Sequence, residues 1–391
     1  MSARTIPLSY VIRNLWVRRV TTVLTAGGMA LVVYVFATVM MMSEGIKETL
    51  VSTGQPDNVI VLRKGAGTEI NSAITRGQSA TAEALPGIAT DAQGYRLVSR
   101  EVAVLNSQQR RDSTETANVT MRGTSPIGLQ IRPQVKIVQG RMFRPGTSEI
   151  IVGQAVTKGF AHMSLGDSVT MAGREWVVVG VFDAQRSGFD SEIWADVNQV
   201  MQAYRRAVYS AIYFKLSAAE AFDPIQKAVG NDPTLQLDVK LEQQFYEEQS
   251  EASTKFIKLL GLILSVIFSI GAIVGAAITM FAAVASRIGE IGTLRALGFR
   301  SEAVMLAFLG ESLGLALVGG LVGLAGASAM QAVNISTLNY ATFSEVAFRF
   351  KFTWQVGMQT MAFSLVMGIL GGFVPAWRAA RLSIIECLRQ A

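Results

Sequence analysis

The pentapeptide GESLG at 310–314 has the G-x-S-x-G spacing of a nucleophile elbow, which would make Ser312 an acyl-transfer nucleophile. That chemistry needs a strand-to-helix turn around the serine and a histidine base beside it. The single histidine, His162, is remote in sequence, and the motif lies in a long apolar run. The match is read as chance and His162 as a structural or surface residue. No H-E-x-x-H pair exists, and His162 with the one cysteine, Cys387, cannot supply the ligands of a zinc site. The glycine-rich GAGTE at 65–69 does not continue into the G-x-x-x-x-G-K-[ST] loop that cradles phosphates. The chain is expected to bind no metal or cofactor of its own and to hydrolyse no ATP.

Two features remain. Glu311 is the one ionisable group expected at membrane depth, too few for ion-coupled transport, and it is placed to reach the interface or to bond a neighbouring helix. RIGEIGTLRALGFR, residues 287–300, alternates charge, glycine and branched apolar residues. Ile288, Ile291 and either Leu294 or Arg295 share a helical face at i, i+3 and i+6 or i+7, an anchor pattern for laying a helix into a groove. Gly289 and Gly292 would each cost about 1 kcal/mol relative to alanine, which makes sense where a partner's backbone comes close. Gly298 suits the position just past the helix end, and Ser301 can cap the helix that follows. A charge at Ile291 is therefore expected to impair docking rather than folding.

The elements that hold these residues are mostly apolar. Of 391 residues 50% are hydrophobic and 16% charged, with scarcer charge than a soluble globular chain of this size carries. Four stretches are long enough to cross a hydrocarbon core, about 20 residues each: 21–42, 255–286 including the end of a polar stalk helix expected over 245–258, 301–330 and 355–374. The first is too long for a signal-peptide core and is expected to remain as an anchor. Arg4, Arg13, Arg18 and Arg19 precede it, so residues 1–20 are placed in the cytoplasm. Residues 43–254 then lie outside, 287–300 inside, 331–354 outside as a short loop, and the tail 375–391, with Arg378, Arg381 and Arg389, inside. These cytoplasmic arginines account for the net charge of +6, and nothing pairs them with aromatic residues as a nucleic-acid partner would require.

The 43–254 region reads as an α+β domain without disulfides, because Cys387 falls outside it. Strand patterns recur at NVIVLR (58–63), EVAVL (101–105), NVTM (118–121), EIIVG (149–153), EWVVVGVF (175–182), SAIYFKL (210–216) and LQLDVKL (235–241). The last two flank a helical pattern and suit a βαβ unit. A membrane-proximal subdomain split between both edges, with a strand-rich subdomain inserted at about 106–208, is expected. The fold class is thus an α-helical membrane protein with four transmembrane helices and a large α+β extracytoplasmic domain inserted between helices 1 and 2. Among the glycines of the spans, Gly271 and Gly275, Gly310 and Gly314, and Gly319 and Gly323 are spaced for close helix approach, within one subunit or between two.

Together these stretches resemble one family, the FtsX-like permease domain of MacB-type ABC transporters. RNLWVRRVTTVLTAGGMALVV at the start, RIGEIGTLRALGFRSEAV, FLGESLGLALVGGLVG and the tail PAWRAARLSIIECLRQA carry the resemblance, with QGRMF, SEIIVG, LGDSV and REWVVVGVF in the outer domain. The family tail commonly has proline where this chain has Ile384. The resemblance implies a multi-pass protein of the bacterial inner membrane with both termini cytoplasmic. It implies that 287–300 is a coupling helix docking into a separate ABC ATPase, through Arg287, Ile288, Glu290, Ile291, Leu294, Arg295, Leu297 and Gly298. ATP and magnesium would belong to that partner. It further implies a homodimer whose outer domains move through stalk helices to export or extract a substrate, with a periplasmic adaptor and an outer-membrane channel as further partners. A non-transporting mechanotransmitter controlling a cell-wall hydrolase is the rival reading, and an ATP-independent receptor a second.

Overall fold

A computed structural model describes residues 19–232, 234–339, 341–383 and 387. Arg4, Arg13, Arg18, Ile384 and Arg389 lie outside the described residues. The chain forms two compact units, a helical one that includes residues up to 44, 256–333 and from 350 onward, and an α/β one made of 45–255 and 334–349.

In chain order the elements are α1 (Arg19–Val51), β1 (Asn58–Arg63), α2 (Arg76–Glu83), β2 (Val98–Gln109), β3 (Thr116–Thr124), α3 (Pro126–Gln130) and β4 (Lys136–Gly140). There follow β5 (Glu149–Gly153), α4 (Gln154–Gly159), β6 (Ser168–Met171), β7 (Arg174–Asp183), β8 (Glu192–Asp196), α5 (Val197–Ala203), β9 (Ala211–Lys215), α6 (Phe222–Gly230) and β10 (Leu237–Leu241). The chain ends with α7 (Glu242–Ala285), α8 (Ile288–Ala296), α9 (Ser301–Ala329), β11 (Asn334–Leu338), β12 (Glu345–Arg349) and α10 (Trp354–Arg381).

The α/β unit is built on one ten-stranded sheet in the order β10-β1-β9-β2-β3-β8-β5-β7-β4, with β6 on β7. NVIVLR becomes an interior strand, next to the β10 edge, because its unbroken apolar run can be buried on both faces, and Val59 to Leu62 are all buried. β9, α6 and β10 make the expected βαβ unit in split form, with β1 antiparallel between its two strands. β2 runs through both halves of the sheet: Val98 to Glu101 pair with β9, and Val102 to Gln109 pair with β3. Local signals hold the helices in place. Thr75 and Gln78 form a capping box at α2, and Asp196 accepts from the backbone N–H groups of Asn198 and Gln199 at α5.

Residues 331–354 are more than a loop. NISTL and EVAFR pair in register as the hairpin β11–β12, from Asn334 opposite Arg349 to Leu338 opposite Glu345. The hairpin belongs to the α/β unit although α9 and α10 on either side belong to the helical one.

Among the described residues, four helices are long and apolar enough to cross a membrane: Arg19–Val51, Glu242–Ala285, Ser301–Ala332 and Trp354–Arg381. All outrun the apolar stretches within them. α7 is a single helix of 44 residues whose polar N-terminal turns lie in the α/β unit and whose apolar remainder lies in the helical one. α10 continues through Pro375 to Arg381.

Candidate coupling site

The segment between α7 and α9 forms the short helix α8, closed by a complete C-terminal motif. Gly298 takes φ +92°, its N–H donates to Arg295 O at 3.1 Å, and the N–H of Phe299 reaches back to Leu294 O at 3.1 Å. Gly298 therefore stands where the sequence places it. At the other junction Arg300, with no side-chain bond, occupies the cap position of α9, and Ser301 begins the helix. The expected Ser301 cap does not form.

Which side of α8 is free is the consequential difference. Ile291 is 2% exposed and packs with Met280, Val284, Val304, Phe308, Ala379 and Cys387 of its own chain. Arg287, also buried, donates to both carboxylate oxygens of Glu311, at 2.8 and 3.3 Å. Arg295 donates to Ala380 O at 3.0 Å, pinning the last turn of α10. A Cβ added at Gly292 would lie 2.6 Å from that of Cys387, so the backbone that comes close is the chain's own tail. Arg287, Ile291 and Gly292 thus serve the internal packing of the helical unit, and the Ile291 side chain, expected on the docking face, is covered by its own chain. Ile288, Leu294 and Arg295 are half-buried, whereas Glu290, Thr293, Leu297 and Gly298 are exposed, Leu297 at 61%. Periodicity identified the apolar face without revealing that the tail, about ninety residues on, covers it.

Ser312 and Glu311 are likewise structural. Ser312 Oγ donates to Gly368 O at 2.6 Å, and Ser364 Oγ to Ala316 O at 2.6 Å, closing α9 against α10. His162 is exposed with φ +55°. The span glycines fall into two groups. A Cβ at Gly319 or Gly323 would sit 2.8 Å from Ala26 O or 2.5 Å from Ala30 O, so these two let α9 press on α1. A Cβ added at Gly271, Gly275 or Gly310 would meet no neighbouring element within 4 Å, and Gly314 is half-buried.

Sequence reasoning missed a charge cluster inside the α/β unit. Arg122 reaches Glu69, Glu101 and Glu192, and Arg132 reaches Glu101 at 2.5 and 3.0 Å with its Nε 3.6 Å from Glu242 Oε1. All six side chains are buried. Burial pushes the Glu101 carboxyl up, but Arg132 and Arg122 outweigh it and hold it below the usual range. At Glu192 and Glu242 burial prevails over Arg122 and Arg132, and both are raised. Glu242 opens α7, so the cluster fixes the first turn of that helix in the sheet unit.

Residues 22–231 match the MacB-like periplasmic core domain, and residues 262–384 match the FtsX-like permease C-terminal domain. The chain belongs to the MacB-type, FtsX-like ABC transporter permeases. The uncharacterized ABC transporter permease YknZ of Bacillus subtilis (strain 168) is 24% identical over 302 residues, covering 72% of this chain and 73% of YknZ. The macrolide export ATP-binding/permease protein MacB of Hahella chejuensis is 25% identical over 395 residues, 95% of this chain and 58% of its own. MacB 2 of Yersinia pestis bv. Antiqua is 23% identical over 372 residues, 85% and 53% respectively. The chain spans a little over half the length of these macrolide-export relatives. Among solved structures, the extracellular domain of YknZ covers 47% of this chain at a TM-score of 0.34 and 16% identity. The periplasmic region of MacB from Actinobacillus actinomycetemcomitans covers 51% at 0.37 and 15%. In this MacB-type permease the FtsX-like match takes in α8 and the helices on either side of it.

Proposed function

We propose that this chain is the permease subunit of a MacB-type ABC transporter, coupling ATP hydrolysis by a separate ATPase subunit to movement of its periplasmic α/β unit for export or extraction of a substrate. The observation that carries the reading is α8, a short helix between two membrane-length helices that leaves Glu290, Thr293, Leu297 and Gly298 exposed, within a chain matching both family domains. Permeases of this family work with ABC ATPases. The exposed face of α8 is the ATPase-subunit contact, with Leu297 as its apolar anchor. ATP and magnesium bind the partner. Two copies of the permease form the assembly, a reading supported by the open space beside Gly271 and Gly275, and a periplasmic adaptor with an outer-membrane channel completes the export path.

Topology gives one test. With both termini cytoplasmic and the four helices spanning the inner membrane, a cysteine at Ser113, exposed in the α/β unit, should react with an impermeant reagent added to cells whose outer membrane has been permeabilised. One at Thr293, exposed on α8, should react only after the inner membrane is broken. Outside labelling of Thr293→Cys in sealed cells would overturn the four-span scheme. Energy supply gives another. The purified chain should turn over no ATP alone and should support turnover with its ATPase. Hydrolysis that tracks the permease through stringent purification would refute a partner-supplied energy source.

A further inference from the structure

We propose that the hairpin β11–β12 is a strap that carries motion from α9 and α10 into the α/β unit, with Arg110 and Glu345 as its positioning residues; this rests on the permease reading above. The hairpin is held at several points. Arg110 forms an ion pair with Glu345 at 2.9 Å, and Glu345 is nearly buried. Ser191 Oγ accepts from the backbone N–H of Ala347 at 3.0 Å, and Asn118 Nδ2 donates to Phe343 O at 3.2 Å. Gly45 leaves room for the chain beside it, since a Cβ there would lie 1.9 Å from Arg349 O. These contacts engage β3, the end of β2, the turn before β8 and the last turns of α1, all within the α/β unit.

Its ends are short. Val333 and Phe350, the residues on either side, already belong to the helical unit, where Phe350 is buried and the N–H of Lys351 donates to Met41 O at 3.1 Å. A docked hairpin with no slack at either junction must follow α9 and α10 when they shift. The first of these begins five residues after α8 ends, and the last turn of the second is pinned by Arg295. A displacement imposed on α8 therefore has a route to the sheet in addition to the continuous helices α1 and α7.

Slackening the strap without undocking it tests this. Flexible Gly/Ser segments of about six residues, inserted between Ala332 and Val333 and between Arg349 and Phe350, would keep the hairpin contacts and lengthen both junctions. The readout is the ATP-driven change in distance between nitroxides at the exposed positions Ser113 and Gln331 in the full chain reconstituted with its ATPase. The expected result is a clear reduction of that change, the part carried by α1 and α7 remaining, with melting temperature, ATPase co-purification and basal hydrolysis retained. Arg110→Glu should reduce the change, and adding Glu345→Arg to it should restore the change, a rescue that a merely space-filling role would not give. A full ATP-driven change in the slack variant would overturn the strap alone. Absence of any change in the unmodified complex would overturn the permease reading and this inference with it.

Discussion

Ile291→Asp should destabilise the helical unit by several kcal/mol, whereas Leu297→Asp should leave it folded and abolish binding of the ATPase. Ile291 is 2% exposed among apolar side chains, and the nearby Arg287, over the Phe308 ring, is already engaged by both carboxylate oxygens of Glu311. A carboxylate there must be desolvated unpaired or take up a proton, and either route costs several kcal/mol. Lower protein yield and an earlier thermal transition would report it. Leu297 is 61% exposed just before the terminating Gly298. In the free permease a charge at such a position is worth within about 0.5 kcal/mol, but at the centre of a water-excluded contact it is left buried and unpaired. Co-purification of the ATPase separates the two variants. Wild-type binding and turnover by Leu297→Asp would end the assignment of the exposed face, and an unshifted melt of Ile291→Asp would refute the internal packing.

Arg132→Ala should lower stability of the α/β unit by about 3–5 kcal/mol, the usual loss when one partner of a buried charge pair is removed. Arg132 is fully buried, donates both terminal nitrogens to Glu101, and lies 4.3 Å from the Tyr213 ring centre and 4.9 Å from that of Phe189. Its loss removes a major attraction holding Glu101 ionised and the charge beside Glu242. The sign with pH follows. A carboxyl whose folded pKa lies below its unfolded value adds stability that is complete above the unfolded pKa and fades as pH falls through the folded one. The deficit of Arg132→Ala should therefore be largest at neutral pH and narrow as pH falls below the ordinary carboxylate range of about 4 to 4.5. Fluorescence melting of the full chain, followed through the buried Trp176 and Trp194, measures it. Arg132→Lys should fall between, because it keeps the charge and loses the fork. A melt of Arg132→Ala unchanged at neutral pH would show that the cluster does not stabilise the fold.

Local pattern made much of the fold legible. NVIVLR, EIIVG and LDVKL announce themselves by β-branched runs, and the helix from 242 to 285 by a polar start running into an apolar course. β8, EIWAD, escaped because its acidic ends look like loop chemistry; yet all five residues are buried, Glu192 bonded by Arg122 and Asp196 capping α5. β4 escaped for the opposite reason, having four of its five residues exposed and no face to alternate. The apolar face of α8 was readable, but a helical face says nothing about whether it meets a partner or its own chain. Residues near 380 and 387 decide that, and only the fold brings them there.

β2 has a consequence for recombination among relatives. The same twelve-residue strand supplies the neighbour of β9 with its first part and of β3 with the rest. A chimera that exchanged only the 106–208 segment would splice mid-strand, joining a foreign register to a resident one, and a slip of one residue turns every following side chain to the opposite face. Heritable exchange of that segment therefore has to carry β2 whole, together with Glu101, whose arginine partners Arg122 and Arg132 both lie beyond the splice.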